Sequence, residues 1–209
     1  MFTASGLALF AFAAVILILI PGPDLIFALT QGMTNGKRAG VVTALGLAMG
    51  NTIHTLAAAL GLSVLVKTSP VLFTIFKIAG ALYLFNLARK SIKYRKMPIT
   101  AAEGDRAAND RSLFLRGLTM NVLNPKVAIF FLTFLPQFVH YDYGYVPVQM
   151  IILGLIFIVL TALIFGALAY FAGAAAGRIL KNPRVNEAAN IVAGSIFTLL
   201  GLKLLTTSP

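Results

Sequence analysis

The chain contains no cysteine, which excludes disulfides, thiol redox relays and thiolate metal sites. Charge is scarce as well. Only 11% of its 209 residues are Asp, Glu, Lys or Arg, where a soluble domain carries about a quarter. Residues 1–23, 39–66 and 143–177 carry no charged side chain at all. Crossing roughly 30 Å of hydrocarbon takes about 20 mostly apolar residues, and no soluble single-core domain needs several uncharged stretches of that length. Acid is scarcest, with six Asp and Glu against 17 Lys and Arg. No Lys or Arg precedes Lys37, so a cleaved signal peptide would lack its basic leading region. Phe2–Ile20 is therefore expected to be a retained first span.

What is present is a 59% hydrophobic chain with a net charge of +11. The placement of that charge argues against a nucleic-acid footprint, which would be a basic stripe on a folded surface. Eight basic residues instead fall between Arg89 and Arg116, in one linker between apolar segments. Six apolar segments can be read: Thr3–Gly36, Ala39–Val66, Pro70–Ala88, Leu113–Val139, Val146–Gly177 and Ala188–Leu205. With six spans, the loops after segments 1, 3 and 5 share one side and hold thirteen basic residues. The positive-inside bias makes that side cytoplasmic and puts both termini, and the loop Tyr141–Tyr145, outside.

The two halves read as a repeat. Ala79-Gly80 aligns with Ala193-Gly194 and Tyr83 with Phe197, and segments 1 and 4 each carry a proline-containing break. Two three-span units in tandem must have opposite orientations, because three is odd. The expected fold is thus an all-α membrane protein of six transmembrane helices in two inverted three-helix repeats, with helices 1 and 4 broken at proline. The first repeat would span 1–90 and the second 113–209, joined by a cytoplasmic basic linker over 91–112. Inverted repeats with interrupted helices at matching positions point to a transport site.

The breaks carry the chemistry. Pro21, Gly22 and Pro23 end a helix, because proline lacks a donor and clashes with the preceding turn. In lipid the freed backbone groups must find partners in protein or a wet cavity, so the break faces the bundle interior. Asp24 follows, at the start of a helix expected to resume from Leu25, where the N-terminal dipole favours a carboxylate. An intramembrane acid costs roughly 2.5–3.5 kcal/mol on insertion scales and is functional by default; the bland alternative is a proline kink with Asp24 as a cap. In segment 4, Pro125 makes the second break. Asn121 and Asn124, three apart, share a helical face. Lys126 lies ten residues beyond Arg116, about 15 Å along a helix, too deep to snorkel easily. It should face Asp24 in a structural ion pair, a substrate carboxylate or a water-filled pocket. Lys77 is a further candidate, unless it snorkels outward. Asn51 and His54 share a face of segment 2, where a lone histidine is most often a satisfied polar contact. His140, the other histidine, lies in an outer loop, so no metal site is expected. Gly36/Gly40, Gly46/Gly50 and Gly173/Gly177 place small residues four apart, allowing close helix packing.

Together these residues resemble the lysine-exporter (LysE/RhtB) family of amino-acid exporters along almost the full length. Pro21-Gly22-Pro23-Asp24 is similar to the family's first-span motif, and Gly46 to Gly50 with Asn51 and His54 to its second. Lys77 to Leu84 is similar to the third, and Gly117 to Phe138, with Asn124-Pro125-Lys126 and Leu135-Pro136-Gln137-Phe138, to the fourth. The fifth span matches only in hydropathy. The resemblance implies a multi-pass protein of the bacterial inner membrane, not an enzyme, that exports amino acids or close derivatives on the proton gradient. It implies no cofactor. Its partners would be an amino acid, protons and lipid, with the oligomeric state, a homo-oligomer included, left open.

A zwitterion matches a site with one carboxylate and one ammonium. Asp24 is expected to meet the α-ammonium or carry the coupling proton, and Lys126, with Asn121 and Asn124, to meet the α-carboxylate. One intramembrane acid against Lys126 and Lys77 favours a neutral amino acid, such as threonine, homoserine or leucine, over a basic one. The competing classes are an exporter of basic amino acids or another small solute, a passive channel, a divalent-cation exporter and an intramembrane enzyme. The last two lack the residues their chemistry needs.

Overall fold

A computed structural model describes residues 2–62, 70–93, 95–96, 109–172 and 182–206. Among them there are helices and no strand. We number the α-helices α1 (Ala4–Leu19), α2 (Pro23–Thr34), α3 (Lys37–Ala57), α4 (Pro70–Lys93), α5 (Asp110–Val122), α6 (Pro125–Thr133), α7 (Val146–Phe171) and α8 (Pro183–Thr206). Helix α3 runs on into a π-helical turn, Ala58–Leu62. Two short 3-10 turns, Leu135–Phe138 and Tyr141–Tyr143, lead from α6 to α7.

Two helical stretches, Lys37–Gly61 and Val146–Phe171, are each long and apolar enough to cross a membrane. Two further crossings are available if each bent pair is one span. Helices α1 and α2 meet at 62°, and α5 meets the stretch from α6 to Phe138 at 54°. Both bends sit where proline removes the donor that would continue the ladder. Pro23 and Pro125 then open the next helix at its first position, where the missing N–H costs nothing. Helix α2 thus resumes at Pro23, two residues before the Leu25 expected from sequence. Asp24 and Lys126 each become the second residue of a renewed helix.

Helix α3 packs on α5 and α7, α2 on α3 and α7, α1 on α7, and α4 on α8. The contact of α3 with α5 is close because α3 presents glycine. A Cβ on Gly46 would collide with the Phe114 carbonyl, and one on Gly50 would lie 2.6 Å from Asn121 Oδ1. Of the other small-residue pairs, Gly40 packs against Gly32, whereas Gly36 meets nothing within 4 Å and serves as a positive-φ start to α3 (φ 89°). Gly173 and Gly177 lie outside the described residues.

Contacts at the two ends of the bundle order the helices. At one end Arg38 pairs with Asp110 at 2.6 Å and the Lys37 ammonium lies 4.6 Å from the Tyr170 ring centre; a separate pair, Arg95 with Glu187 at 3.1 Å, ties the end of α4 to α8. At the other, Phe10 stacks on Phe134 and meets Phe138 edge-to-face. There the buried Gln149 also ties down the 139–145 loop through His140 and Gly144. Aromatic packing fills the core between them, with Phe130, Phe131 and Phe157 within 5.1–5.9 Å of one another.

Candidate functional site

Each break leaves a carbonyl that proline cannot satisfy. In an α-helix the carbonyl of residue i accepts from the N–H of residue i+4. Leu17 therefore loses its usual donor to Pro21 and keeps only the Ile20 N–H at 3.3 Å, and Asn121 loses its usual donor to Pro125. Each of these carbonyls takes a further polar partner from the other half of the chain. The Lys126 ammonium donates to the Leu17 carbonyl at 3.4 Å and to the Ile20 carbonyl at 3.2 Å. His54 Nε2 lies 3.0 Å from the Asn121 carbonyl. A carbonyl can only accept, so Nε2 carries the proton. The Asn121 carbonyl also takes the Asn124 N–H at 2.9 Å.

Asp24 links the two breaks. It is 5% exposed and accepts from Asn121 Nδ2 at 2.8 Å and from Asn124 Nδ2 at 2.7 Å, one bond to each carboxylate oxygen. Ionised carboxylate is acceptor-only, so both asparagines must turn their NH₂ groups toward it. Asn124 also caps α6, its Oδ1 accepting from the Lys126 N–H at 3.0 Å. The three-residue spacing of Asn121 and Asn124 thus brings both to one carboxylate. Asp24 and Lys126 form no direct ion pair among the described residues. The carboxylate oxygens take amide donors, and the ammonium takes carbonyls at the negative end of α1.

Around these groups lies a cavity of about 30 Å³, lined by Leu17, Ile20, Gly22, Asp24, Asn51, Asn121, Asn124 and Lys126. Its apolar walls are Ile18, Leu25, Val127, Phe157 and Phe165, with Thr161 among them. About 10–15 Å³ of such space holds one water, so this conformation has room for two or three waters beside the polar groups. Asn51 Nδ2 donates to its own helix at Ala48, while Asn51 Oδ1 and Asn121 Oδ1 are buried with no partner. These are two acceptors that a bound group could use. Asn51 therefore lines the cavity, and His54 stands behind it, holding the second break. Lys77 sits on α4, and its side chain lies outside the described residues.

Sequence reasoning missed the α7 wall. Phe157, Thr161 and Phe165 recur every four residues and face the cavity together, but α7 is apolar all round. The one cue was Thr161, a hydroxyl within a long apolar run; in the structure it donates to the Phe157 carbonyl at 2.8 Å.

Proline-broken apolar helices meeting at a buried carboxylate and ammonium define a membrane protein of the translocator class. Comparison with known proteins agrees. Residues 15–208 match the family described as LysE type translocator, and the chain belongs to that family. It is 30% identical over 204 residues to an uncharacterized membrane protein of Pseudomonas aeruginosa, covering 95% of this chain and 94% of that one. To another such protein, from Bacillus subtilis, it is 33% identical, covering 91% and 93%. To the leucine efflux protein of an Enterobacter species it is 28% identical, covering 91% and 90%. No solved structure matches the chain. Membership supports amino-acid export in general and makes this a transporter family rather than an enzyme family.

Proposed function

We propose that this chain exports neutral amino acids across the bacterial inner membrane in exchange for protons. One observation carries the proposal. A single cavity, where the two proline breaks meet, holds one carboxylate and one ammonium among neutral residues: Asn51, Asn121, Asn124, Thr161 and Gly22 beside Leu, Ile, Val and Phe. A zwitterion with an apolar or small neutral side chain suits those groups. A second cationic group would find no second acid lining the cavity among the described residues. The leucine efflux relative supports the same substrate class. In this reading Asp24 meets the α-ammonium or carries the proton, and Lys126 meets the α-carboxylate. Asn121 and Asn124 hold Asp24 in place. Asn51 offers an unpartnered acceptor, and His54 holds the second break. Lys77 is retained as a candidate on α4.

The same proposal takes α4 and α8 as spans, making six, and takes 1–90 and 113–209 as inverted repeats around the basic linker 91–112. Reciprocal satisfaction of the two broken helices supports this, as does the packing of α3 on α7 and of α4 on α8, each helix on its counterpart. The Arg38–Asp110 and Lys37–Tyr170 contacts gather the start of α3, the start of α5 and the end of α7 at one end, as alternating spans require. We place that end in the cytoplasm and both termini outside.

The test is counterflow in sealed vesicles with radiolabelled leucine, threonine, homoserine and lysine. The proposal expects the neutral substrates to exchange and lysine to lag. Lysine exchanging faster than all three would refute the acid-counting argument. Equal, non-saturable leakage of all four would make the protein a channel.

A further inference from the structure

The Leu17 and Ile20 carbonyls form an ammonium seat that is already filled. Pro21 removes the i+4 N–H, so the Leu17 carbonyl keeps one backbone bond, from the Ile20 N–H at 3.3 Å, and has a lone pair to spare. The Ile20 carbonyl ends the helix, and both residues line the cavity. The group on them is the Lys126 ammonium, at 3.4 and 3.2 Å, brought in from the other half of the chain. Gly22, beside it, has no side chain to block the approach; a Cβ there would lie 3.4 Å from Lys126 Nζ. The substrate of the proposed export carries the same chemical group, and it cannot reach these carbonyls while Lys126 stays on them. We propose that Lys126 is a tethered stand-in for the substrate's α-ammonium. In the empty carrier it occupies the Leu17 and Ile20 carbonyls. An incoming amino acid takes the seat with its own ammonium, next to Asp24, and the displaced Lys126 turns to the substrate's carboxylate. The cavity gains room, and the net charge inside is unchanged because the guest is a zwitterion.

This rests on the amino-acid export reading but is read out separately. Lys126→Ala removes three carbons and the ammonium, the atoms of propylammonium. Purified Lys126→Ala protein in detergent should gain thermal stability, saturably, when propylammonium is added, because a ligand that binds only the folded state stabilises it. Wild type, whose seat is filled, should not respond. Leucine should then compete with propylammonium, and N-acetyl-leucine, which lacks the ammonium, should not. No difference between variant and wild type would overturn the proposal. So would stabilisation by sodium but not by propylammonium, or competition by N-acetyl-leucine equal to that by leucine. If Lys126→Ala cannot be purified, Lys126→Met fills the stem and leaves only the ammonium position vacant, and the ammonium ion becomes the probe with the same expected and contrary results. Failure of export itself would appear as no counterflow of any amino acid by wild type. The propylammonium titration needs no substrate and would still report on the seat.

Discussion

Replacing Asp24 by Asn is the most informative single perturbation, because the structure says how the fold would absorb it. Asn124 must keep its NH₂ toward position 24, since its Oδ1 is committed to the Lys126 N–H. Asn121 is not so bound: its Oδ1 has no partner. A flip of that one amide lets Asn121 accept from the new NH₂ while Asn124 donates to the new carbonyl, so both contacts survive as neutral hydrogen bonds. Charge-assisted bonds contribute about 1.5–3 kcal/mol and neutral ones about 0.5–1.5, a loss of about 2–3 kcal/mol over the two. Relief from burying a charge offsets that loss. The variant should therefore fold and reach the membrane. Binding has no such remedy. Removing the partner of a buried ammonium costs about 3–5 kcal/mol, or a hundredfold to a few thousandfold in affinity at about 1.4 kcal/mol per decade. Expression and melting temperature in detergent check the first part, and uphill export from vesicles checks the second. Asp24→Asn protein that concentrates substrate at the wild-type rate would reduce Asp24 to a helix cap and refute the reasoning.

Gly46→Ala should destabilise the protein by about 1–3 kcal/mol, because the added methyl meets the backbone carbonyl of Phe114. Gly166→Ala, with nothing within 4 Å, should not, and paired melting curves in detergent compare the two. Phe165→Ala enlarges the cavity on its α7 wall and should raise exchange of phenylalanine relative to threonine in counterflow; an unchanged ratio would remove α7 from the specificity wall. The natural chain lacks cysteine, so Thr100→Cys reports topology cleanly. An impermeant maleimide added to intact cells should fail to label it, and labelling would invert the orientation.

Some of this site could be read from sequence because the causes are local. Pro21, Pro23 and Pro125 cannot donate, so the two breaks follow from covalent structure alone. An acid and a lysine immediately after them, deep in apolar segments, mark the cavity for the same reason. Asn121 and Asn124, expected on one helical face, both reach Asp24 in the structure, but across the break, since α5 ends at Val122 and Asn124 caps α6. The partner of Lys126 was beyond such reasoning. Opposite charges suggest an ion pair, whereas the fold brings the ammonium to the Leu17 and Ile20 carbonyls, whose availability depends on how two distant breaks dock. The role of His54 at the Asn121 carbonyl was hidden likewise. The α7 wall was invisible because a helix apolar on nearly every side gives no face to read, and along its middle only Thr161 departed from the pattern.

The central claim is tested most directly by imposing a proton gradient across liposomes that contain the purified wild-type protein, with labelled leucine or threonine at equal concentration on both sides. The account predicts that the amino acid accumulates, against its own gradient, in the compartment of lower pH, and that dissipating the gradient with a protonophore abolishes the accumulation. Equilibration that never exceeds equal concentrations, with or without the gradient, would contradict it.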